Sequence, residues 1–192
     1  MKPKDAKKVS LIYEATLRIV REAGLSGITM GNIAKQAGLA TGTVYIYFKN
    51  KVDLINSLYT ECRKLSAGVY FKGYQDNESF QTGFRKIFFN ILKHRMEHFN
   101  EAVFLQQCYH STFISDASKE ASRKFMEPLY HLVERGKKEQ LIKEMDTKLL
   151  LIFMVSCINE LVKHYHYSRR KPKPQLREQM FLLCWDGMKN YK

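Results

Sequence analysis

The sequence predicts an all-α protein, and three observations support that prediction. Apolar residues recur at helical spacing along most of the 192 residues, alternating strand patterns are absent, and proline occurs only at positions 3, 128, 172 and 174. A hydrophobic content of 45%, with 12% aromatic residues, is sufficient for a real core. We therefore expect a small amino-terminal helical module followed by a larger helical one.

The first helix is predicted at about 7–23. Its inner stripe is Ile12, Ala15, Ile19 and Val20, and Gly24 ends it. Two short helices follow, the second at about 41–48. A fourth helix, capped by Asn50, runs from about 50 to 71 and ends before the polar segment GYQDNES. Later helices are expected, with Gly136 and the segment RRKPKP as breaks, at about 80–99, 101–114, 118–138, 146–167 and 175–190.

Residues 28–54, ITMGNIAKQAGLATGTVYIYFKNKVDL, predict a helix-turn-helix for DNA. Thr29 can cap a helix whose small Ala34 and Ala37 allow a second helix to cross closely, and Gly38 can end that helix in the left-handed conformation. Val44 and Phe48 are four residues apart and should face the core. The side chains left for the other faces suit the DNA groove, and they are Thr41, Thr43, Tyr45 and Tyr47.

As a set, these residues resemble the TetR-type bacterial transcriptional repressors. The matching positions cover about the first third of the chain and are Ile12, Ala15, Ile19, Gly24, Thr29, Ile33, Ala34, Ala37, Gly38, Gly42, Thr43, Tyr45, Phe48 and Lys51. Two positions depart from the family pattern. Ala40 stands where a capping Ser is common, and Ile46 stands where a polar or aromatic residue is common.

The resemblance implies roles for individual residues in the first module, predicted as a DNA-binding domain over residues 1–50. Thr29, Tyr47 and Lys51 would contact phosphates. Gly42 would let the backbone approach the duplex. Thr41, Thr43 and Tyr45 would reach base edges or thymine methyl groups in the major groove. The implied partner is a palindromic double-stranded DNA operator bound by a homodimer.

The charge agrees with a polyanionic partner. The formal net charge is +13 and the pI is near 9.6, which favours nucleic acid over an acidic membrane surface. Residues 1–60 carry nine Lys and Arg against four acids, which leaves a net +8 on the remaining residues. That excess makes an anionic or acyl-type ligand more favourable than a cation for the second module.

Residues 51–192 are predicted to form a ligand-binding and dimerisation domain, because in TetR-like proteins this domain usually binds a small-molecule inducer. Aromatic and methionine side chains can wall an adaptable apolar pocket, although each of them can equally be plain core. Polar residues among them could orient the ligand. The candidate pocket residues are Phe88, Gln107, Tyr109, His110, Phe113, Phe125, Tyr130, Phe153 and Asn159.

The last two helical segments, 146–167 and 175–190, predict a dimer interface. The segment LLLIFMVSCINEL is apolar around almost its whole circumference, which implies burial on two sides. One side can be the chain's own core and the other a twin helix.

The sequence predicts no disulfide, metal, cofactor or membrane-spanning site. Four widely spaced cysteines indicate reduced, buried thiols. His94 and His98 have chelating spacing, but Lys93, Arg95 and Glu97 around them indicate a solvated helix face, so we expect no metal. No cofactor is implied either. No signal peptide or membrane span is evident, which predicts a soluble cytoplasmic protein.

Three functions are compatible with an all-helical chain that carries a helix-turn-helix. The sequence favours a ligand-responsive transcriptional regulator, most simply a repressor released by its inducer. An architectural DNA-binding protein without an inducer is one alternative. A small helical enzyme with an incidental helix-turn-helix is the other, but no nucleophile, acid and base arrangement supports catalysis.

Overall fold

The computed structural model describes residues 5–109, 111–170 and 172–191. Within those ranges the chain forms nine α-helices and no β-sheet. Ile142 and Lys189 form an isolated antiparallel β-bridge. The helices are α1 Ala6–Ala23, α2 Met30–Ala37, α3 Thr41–Tyr47, α4 Lys51–Tyr70, α5 Phe80–Glu97, α6 Phe99–Cys108, α7 Asp116–Lys138, α8 Thr147–Tyr167 and α9 Pro174–Met188. The all-α prediction is confirmed.

The helices group into two compact units. Unit 1 contains the chain up to Lys64 together with Asn100–Ser122, and unit 2 contains Leu65–Phe99 and the chain from Arg123 onward. The predicted division after residue 50 differs from this grouping. The reason is packing: the first part of α4, up to Cys62, and the second half of α6 contribute buried side chains to one hydrophobic core with α1, α2 and α3, among them Leu54, Leu58, Cys62, Phe104 and Cys108.

Local signals set most helix ends in unit 1. The backbone N–H of Asn32 donates to the Thr29 hydroxyl at 3.1 Å, which caps α2. Gly38 ends α2 with φ 67° and ψ 32°, the left-handed conformation that glycine adopts without strain. Ala40 supplies no side-chain cap to α3, and its carbonyl instead accepts from the Thr43 N–H at 2.9 Å. The predicted caps at Thr29 and Gly38 are confirmed.

Aromatic residues from α5 and α9 build much of the core of unit 2. The Phe88 ring meets the Phe181 ring edge-on at 5.4 Å, and the Phe84 ring lies 5.6 Å from that of Trp185. The predicted helix break at Gly136 is wrong, because this residue lies buried within α7. A Cβ atom there would come within 2.5 Å of the Phe80 ring, so close packing explains this glycine better than a turn does.

Two predictions along α5 and α6 are wrong. The predicted segment 101–114 begins and ends earlier, as α6 over Phe99–Cys108. The face around His94 and Arg95 is not solvated, because both side chains are buried in unit 2. The charged neighbours Lys93 and Glu97 do remain exposed, so only one side of this turn fits the expected surface.

Candidate nucleic-acid interface

The outward face of α3 carries the side chains that could meet DNA. Val44 and Phe48 are buried and anchor the opposite face in the core of unit 1. Thr41, Gly42 and Tyr45 are exposed and Thr43 is half-buried, as the sequence predicted for a reading face. A Cβ atom at Gly42 would meet nothing within 4 Å, so unit 1 itself does not require glycine there. Open space at this position leaves room for a partner to approach the backbone.

Tyr47 is buried, whereas the sequence predicted that its side chain would be available to DNA. Its side chain is only 9% exposed and belongs to the core of unit 1, whereas Tyr45 is 53% exposed. The physical reason is spacing, because Tyr47 lies three residues after Val44 and so shares its inner face. A phosphate contact by Tyr47 would therefore depend on the hydroxyl alone, and the ring is not a free surface aromatic.

Ile46 is an exposed residue of α3 to which the sequence pattern gave no DNA contact. It is 74% exposed, more than any other large apolar side chain in the described part of the chain. Its place on the outward face of α3, beside the exposed Tyr45, puts an apolar side chain among the candidate DNA contacts. The departure from the family pattern at this position was the available signal.

The start of α4 holds the predicted phosphate contact at Lys51. The Asp53 N–H donates to the Asn50 side chain at 2.9 Å, and the Lys49 N–H donates to the Asp53 carboxylate at 2.9 Å. These two bonds satisfy donors at the helix start, as predicted for an Asn50 cap. The Lys51 ammonium lies 5.1 Å from the centre of the Phe113 ring, within the range of a cation–π contact.

Asn56 ties α4 to the segment that carries Phe113. Its side-chain N–H₂ donates to the Phe113 carbonyl at 2.8 Å, and its side-chain oxygen accepts from the Ser115 N–H at 2.8 Å. The N–H₂ group and the oxygen of one side chain therefore both form hydrogen bonds, to partners 57 and 59 residues away in the sequence. The connection positions residues 113–115 on the helix that starts with Lys51.

The candidate pocket residues are divided between the two units. In unit 1, Gln107 accepts from the Leu25 N–H at 3.1 Å and donates to the Val20 carbonyl at 3.3 Å, which is a structural role. Phe113 packs against the core, and Tyr109 is exposed. His110 lies outside the described residues.

In unit 2 the other candidates occupy different environments. Phe88 is fully buried in the aromatic core, Phe125 is half-buried and Tyr130 is exposed. Phe153 faces α9, where a Cβ atom on Gly187 would lie 2.7 Å from its ring. Asn159 accepts a hydrogen bond from Arg95. The ligand pocket stays a prediction.

Helices α8 and α9 present an apolar outer face. Exposed side chains follow both helices, namely Leu149, Ile152, Phe153, Leu182 and Leu183. An open groove of about 420 Å³ lies beside them and includes Leu161, Leu176 and Met180. The opposite face of α8 is buried through Leu150, Met154 and Ile158. Helix α8 is thus apolar on two sides, as its sequence indicated.

The described residues contain no group of three side chains placed to hold a metal ion. Burial raises the pKa of the Cys62, Cys108 and Cys184 thiols to about 12, so these three cysteines are neutral at physiological pH. No helix in the parts of the chain that the structure describes is long and apolar enough to cross a membrane.

A helix-turn-helix with an exposed reading face, joined to a larger helical unit, defines a DNA-binding regulator. Residues 12–58 match the family model "Bacterial regulatory proteins, tetR family", and residues 59–190 match "Tetracyclin repressor-like, C-terminal domain". The chain belongs to the TetR family of transcriptional regulators, which is not a family of enzymes.

Three similar proteins illustrate the relationship. A Bacillus subtilis fatty acid metabolism regulator protein is 44% identical over 61 residues, covering 32% of this chain and 31% of that protein. A TetR family transcription regulator from Marinobacter aquaeolei VT8 has a TM-score of 0.88 at 24% identity, covering 99% of this chain and all of the other. The FadR regulator of Bacillus subtilis, solved with stearoyl-CoA, has a TM-score of 0.67 at 20% identity, covering 93% and 98%. The structural matches concern the fold alone.

Proposed function

We propose that this regulator is a ligand-responsive repressor that binds a palindromic operator as a homodimer and is released by a small-molecule inducer. The observation that carries the DNA-binding part is the outward face of α3, where Thr41, Gly42 and Tyr45 are exposed around an anchored Val44. A helix of this kind can enter the major groove. Such a regulator acts on the chromosome, in the cytoplasm.

The positions of the side chains support a set of individual DNA contacts within this proposal. Thr29 and Lys51 stand at the starts of α2 and α4, where helix N-termini and an ammonium favour phosphate. Thr41, Thr43 and Tyr45 lie on α3 and would contact base edges. The Tyr47 hydroxyl is a further phosphate donor in this proposal, with its ring held in the core.

The apolar outer face of α8 and α9 supports the homodimer. Leu183 is 70% exposed, and Leu149, Ile152 and Leu182 are exposed with it. A contiguous face of large apolar side chains is typical of a protein–protein contact. A second copy of the chain would bury this face and set two α3 helices at the fixed spacing that a palindrome requires.

The inducer is proposed to be anionic or acyl-type. The net +8 outside residues 1–60 favours an anion, and a structural relative has been solved with stearoyl-CoA. The inducer would favour a conformer with poorly spaced α3 helices and would lower operator affinity by its preference for that conformer. Helix α4 contributes residues to both units and is the natural connection.

The test begins with selection of binding sites from random DNA by the purified full-length chain. A palindromic consensus whose half-sites lie about one helical turn apart supports the proposal. The selected duplex is then titrated with protein in the presence of acyl-CoA compounds, fatty acids and neutral analogues. Release by at least one compound supports an inducible repressor. Operator binding that no small molecule weakens would favour an architectural protein instead.

A further inference from the structure

Arg95 is a charged side chain at a position where α5 is otherwise apolar. Phe84, Phe88, Ile91 and Arg95 follow one another at spacings of four, three and four residues and so share one face of the helix. The first three are fully buried, and Arg95 is only 5% exposed. The guanidinium therefore lies at the end of an apolar stripe inside unit 2.

The partner of this buried charge is neutral. One terminal N–H of Arg95 donates to the side-chain oxygen of Asn159 on α8, while its Nε has no hydrogen-bond partner. Among the described residues, no carboxylate lies within ion-pair distance of the Arg95 guanidinium. His94, the neighbouring buried polar residue, is engaged with the Ser66 hydroxyl at 3.2 Å and leaves Arg95 uncompensated.

Arg85 on the same helix shows the contrast. Its guanidinium pairs with the Glu178 carboxylate at 2.6 Å and lies over the rings of Phe89 and Phe181 at the surface. That arginine is both solvated and paired with a carboxylate, so the fold itself accounts for it. Arg95 has neither form of compensation.

Burying an arginine without a counter-charge strongly disfavours the folded state, and an apolar residue of similar length would stabilise the same position. A positive charge with an unused donor is, however, suited to bind an anion. The planar guanidinium matches the geometry of a carboxylate or a phosphate, and the Asn159 amide offers further donors.

We propose that Arg95, with Asn159, binds the carboxylate or phosphate group of a small molecule that has an apolar body. The neighbouring turns support the apolar body, because Ile91 lies one turn before Arg95 and Val162 about one turn after Asn159, both buried. This inference rests on the proposed function, since the bound anion would be the inducer. It assigns the charge recognition to one named pair of side chains.

The experiment compares three probes with the same ten-carbon chain: sodium decanoate, decyl phosphate and decanol. Each is titrated calorimetrically, below its micelle concentration, into the full-length wild type and into the Arg95→Met, Arg95→Lys and Arg85→Met variants. For the wild type we expect one anion to bind about 10- to 100-fold more tightly than decanol, because hydrogen bonds to charged groups are strong when buried. The carboxylate and phosphate arms identify which headgroup is used.

The variants then test Arg95 itself. Arg95→Met should lose the preference for the anion, Arg95→Lys should keep only part of it, and Arg85→Met should keep all of it. The unliganded Arg95→Met variant should melt at the wild-type temperature or above, since an unpaired buried charge is removed. If Arg95→Met does not fold, Arg95→Lys decides, and an unchanged preference in that variant overturns the proposal.

Two other results would overturn the proposal: equal binding of decanol and both anions by the wild type, or an undiminished anion preference in folded Arg95→Met. Operator binding separates this failure from that of the proposed function. A wild type that is released from its operator only by neutral or cationic compounds refutes the role of Arg95 and leaves the repressor intact. A wild type that selects no palindromic DNA refutes the repressor, whatever the anions do.

Discussion

The Lys51 ammonium lies 5.1 Å from the centre of the Phe113 ring, so a residue proposed to contact DNA phosphate is positioned by an aromatic side chain from the segment after α6. The Lys51→Ala variant should weaken binding to operator and to unrelated DNA by similar factors, because a phosphate contact carries no sequence information. The slope of log affinity against log salt should fall by about 0.9, since one fewer counterion is released.

Fluorescence anisotropy over a series of KCl concentrations measures both effects. Phe113→Leu keeps the charge and removes the ring, so affinity should change while the salt slope stays near that of the wild type. Lys72→Ala, an exposed lysine of unit 2, is the matched control and should change neither. An unchanged slope for Lys51→Ala would place this ammonium away from the DNA.

Ile46 should read a thymine methyl group, because its exposed aliphatic side chain can gain only an apolar contact in the major groove. Replacing thymines of the selected operator one at a time by deoxyuridine removes single methyl groups. For one position we expect a loss of about 0.8 kcal/mol in the wild type, the value of one buried methylene-sized group. Equilibrium binding to each duplex provides the measurement.

The Ile46→Ala variant completes this cycle. It should bind the thymine and deoxyuridine duplexes equally at the sensitive position, because the contact has already been removed. The Thr43→Ala and Tyr45→Ala variants should lose about 1 to 3 kcal/mol on the operator and little on unrelated DNA, yet retain the deoxyuridine effect. Sensitivity to deoxyuridine that persists in Ile46→Ala would assign the methyl contact to another side chain.

Asn56→Ala should destabilise unit 1 by about 1 to 3 kcal/mol, because the Phe113 carbonyl and the Ser115 N–H both lose a partner. Urea unfolding monitored by circular dichroism measures the change. Asn77→Ala removes an exposed asparagine and should have almost no effect. Equal stabilities of the two variants would show that the Asn56 contacts are replaced by water at no cost.

Leu183→Glu should dissociate the homodimer, because it places a charge on the exposed apolar face of α9. Light scattering should give about half the wild-type mass at micromolar concentration, and operator affinity should fall with it. The control is Leu65→Glu, which alters an equally bulky exposed side chain on α4 and should leave the mass unchanged. A dimeric Leu183→Glu protein would locate the interface elsewhere.

Stability should fall above about pH 9. Burial raises the pKa of the Cys62 and Cys108 thiols to about 12, and that of the Tyr13 phenol to about 12, above their values in the unfolded chain. Between the two pKa values the unfolded state releases protons that the native state retains. These groups therefore make their full contribution to the free energy of unfolding below the unfolded pKa values. That contribution is lost as the pH rises toward 12, by up to about 1.4 kcal/mol per pH unit for each thiol.

Urea midpoints at pH 7.5, 9 and 10.5 test the direction. Cys62→Ala should reduce the alkaline loss, because one group that titrates in the unfolded state is removed. A midpoint that is constant across this range in the wild type would show that these groups titrate equally in both states.

The local sequence determined helices α1 to α4 and their ends, because those depend on residues adjacent along the chain. The Thr29 hydroxyl reaches the N–H three residues later, Gly38 adopts the left-handed conformation at the end of α2, and Asn50 caps the start of α4. The apolar stripe that includes Val44 likewise specified which face of α3 turns inward. Enough of the motif is local for the family to be evident from residues 12–51.

The tertiary structure decided which polar and aromatic side chains are buried. Arg95 has charged sequence neighbours that suit a surface, yet it lies inside, next to the distant helix α8. Only the folded chain brings Asn159 to Arg95, and only it turns Gln107 toward Leu25. Burial depends on what packs against a residue, and periodicity along one helix carries no information about the partner.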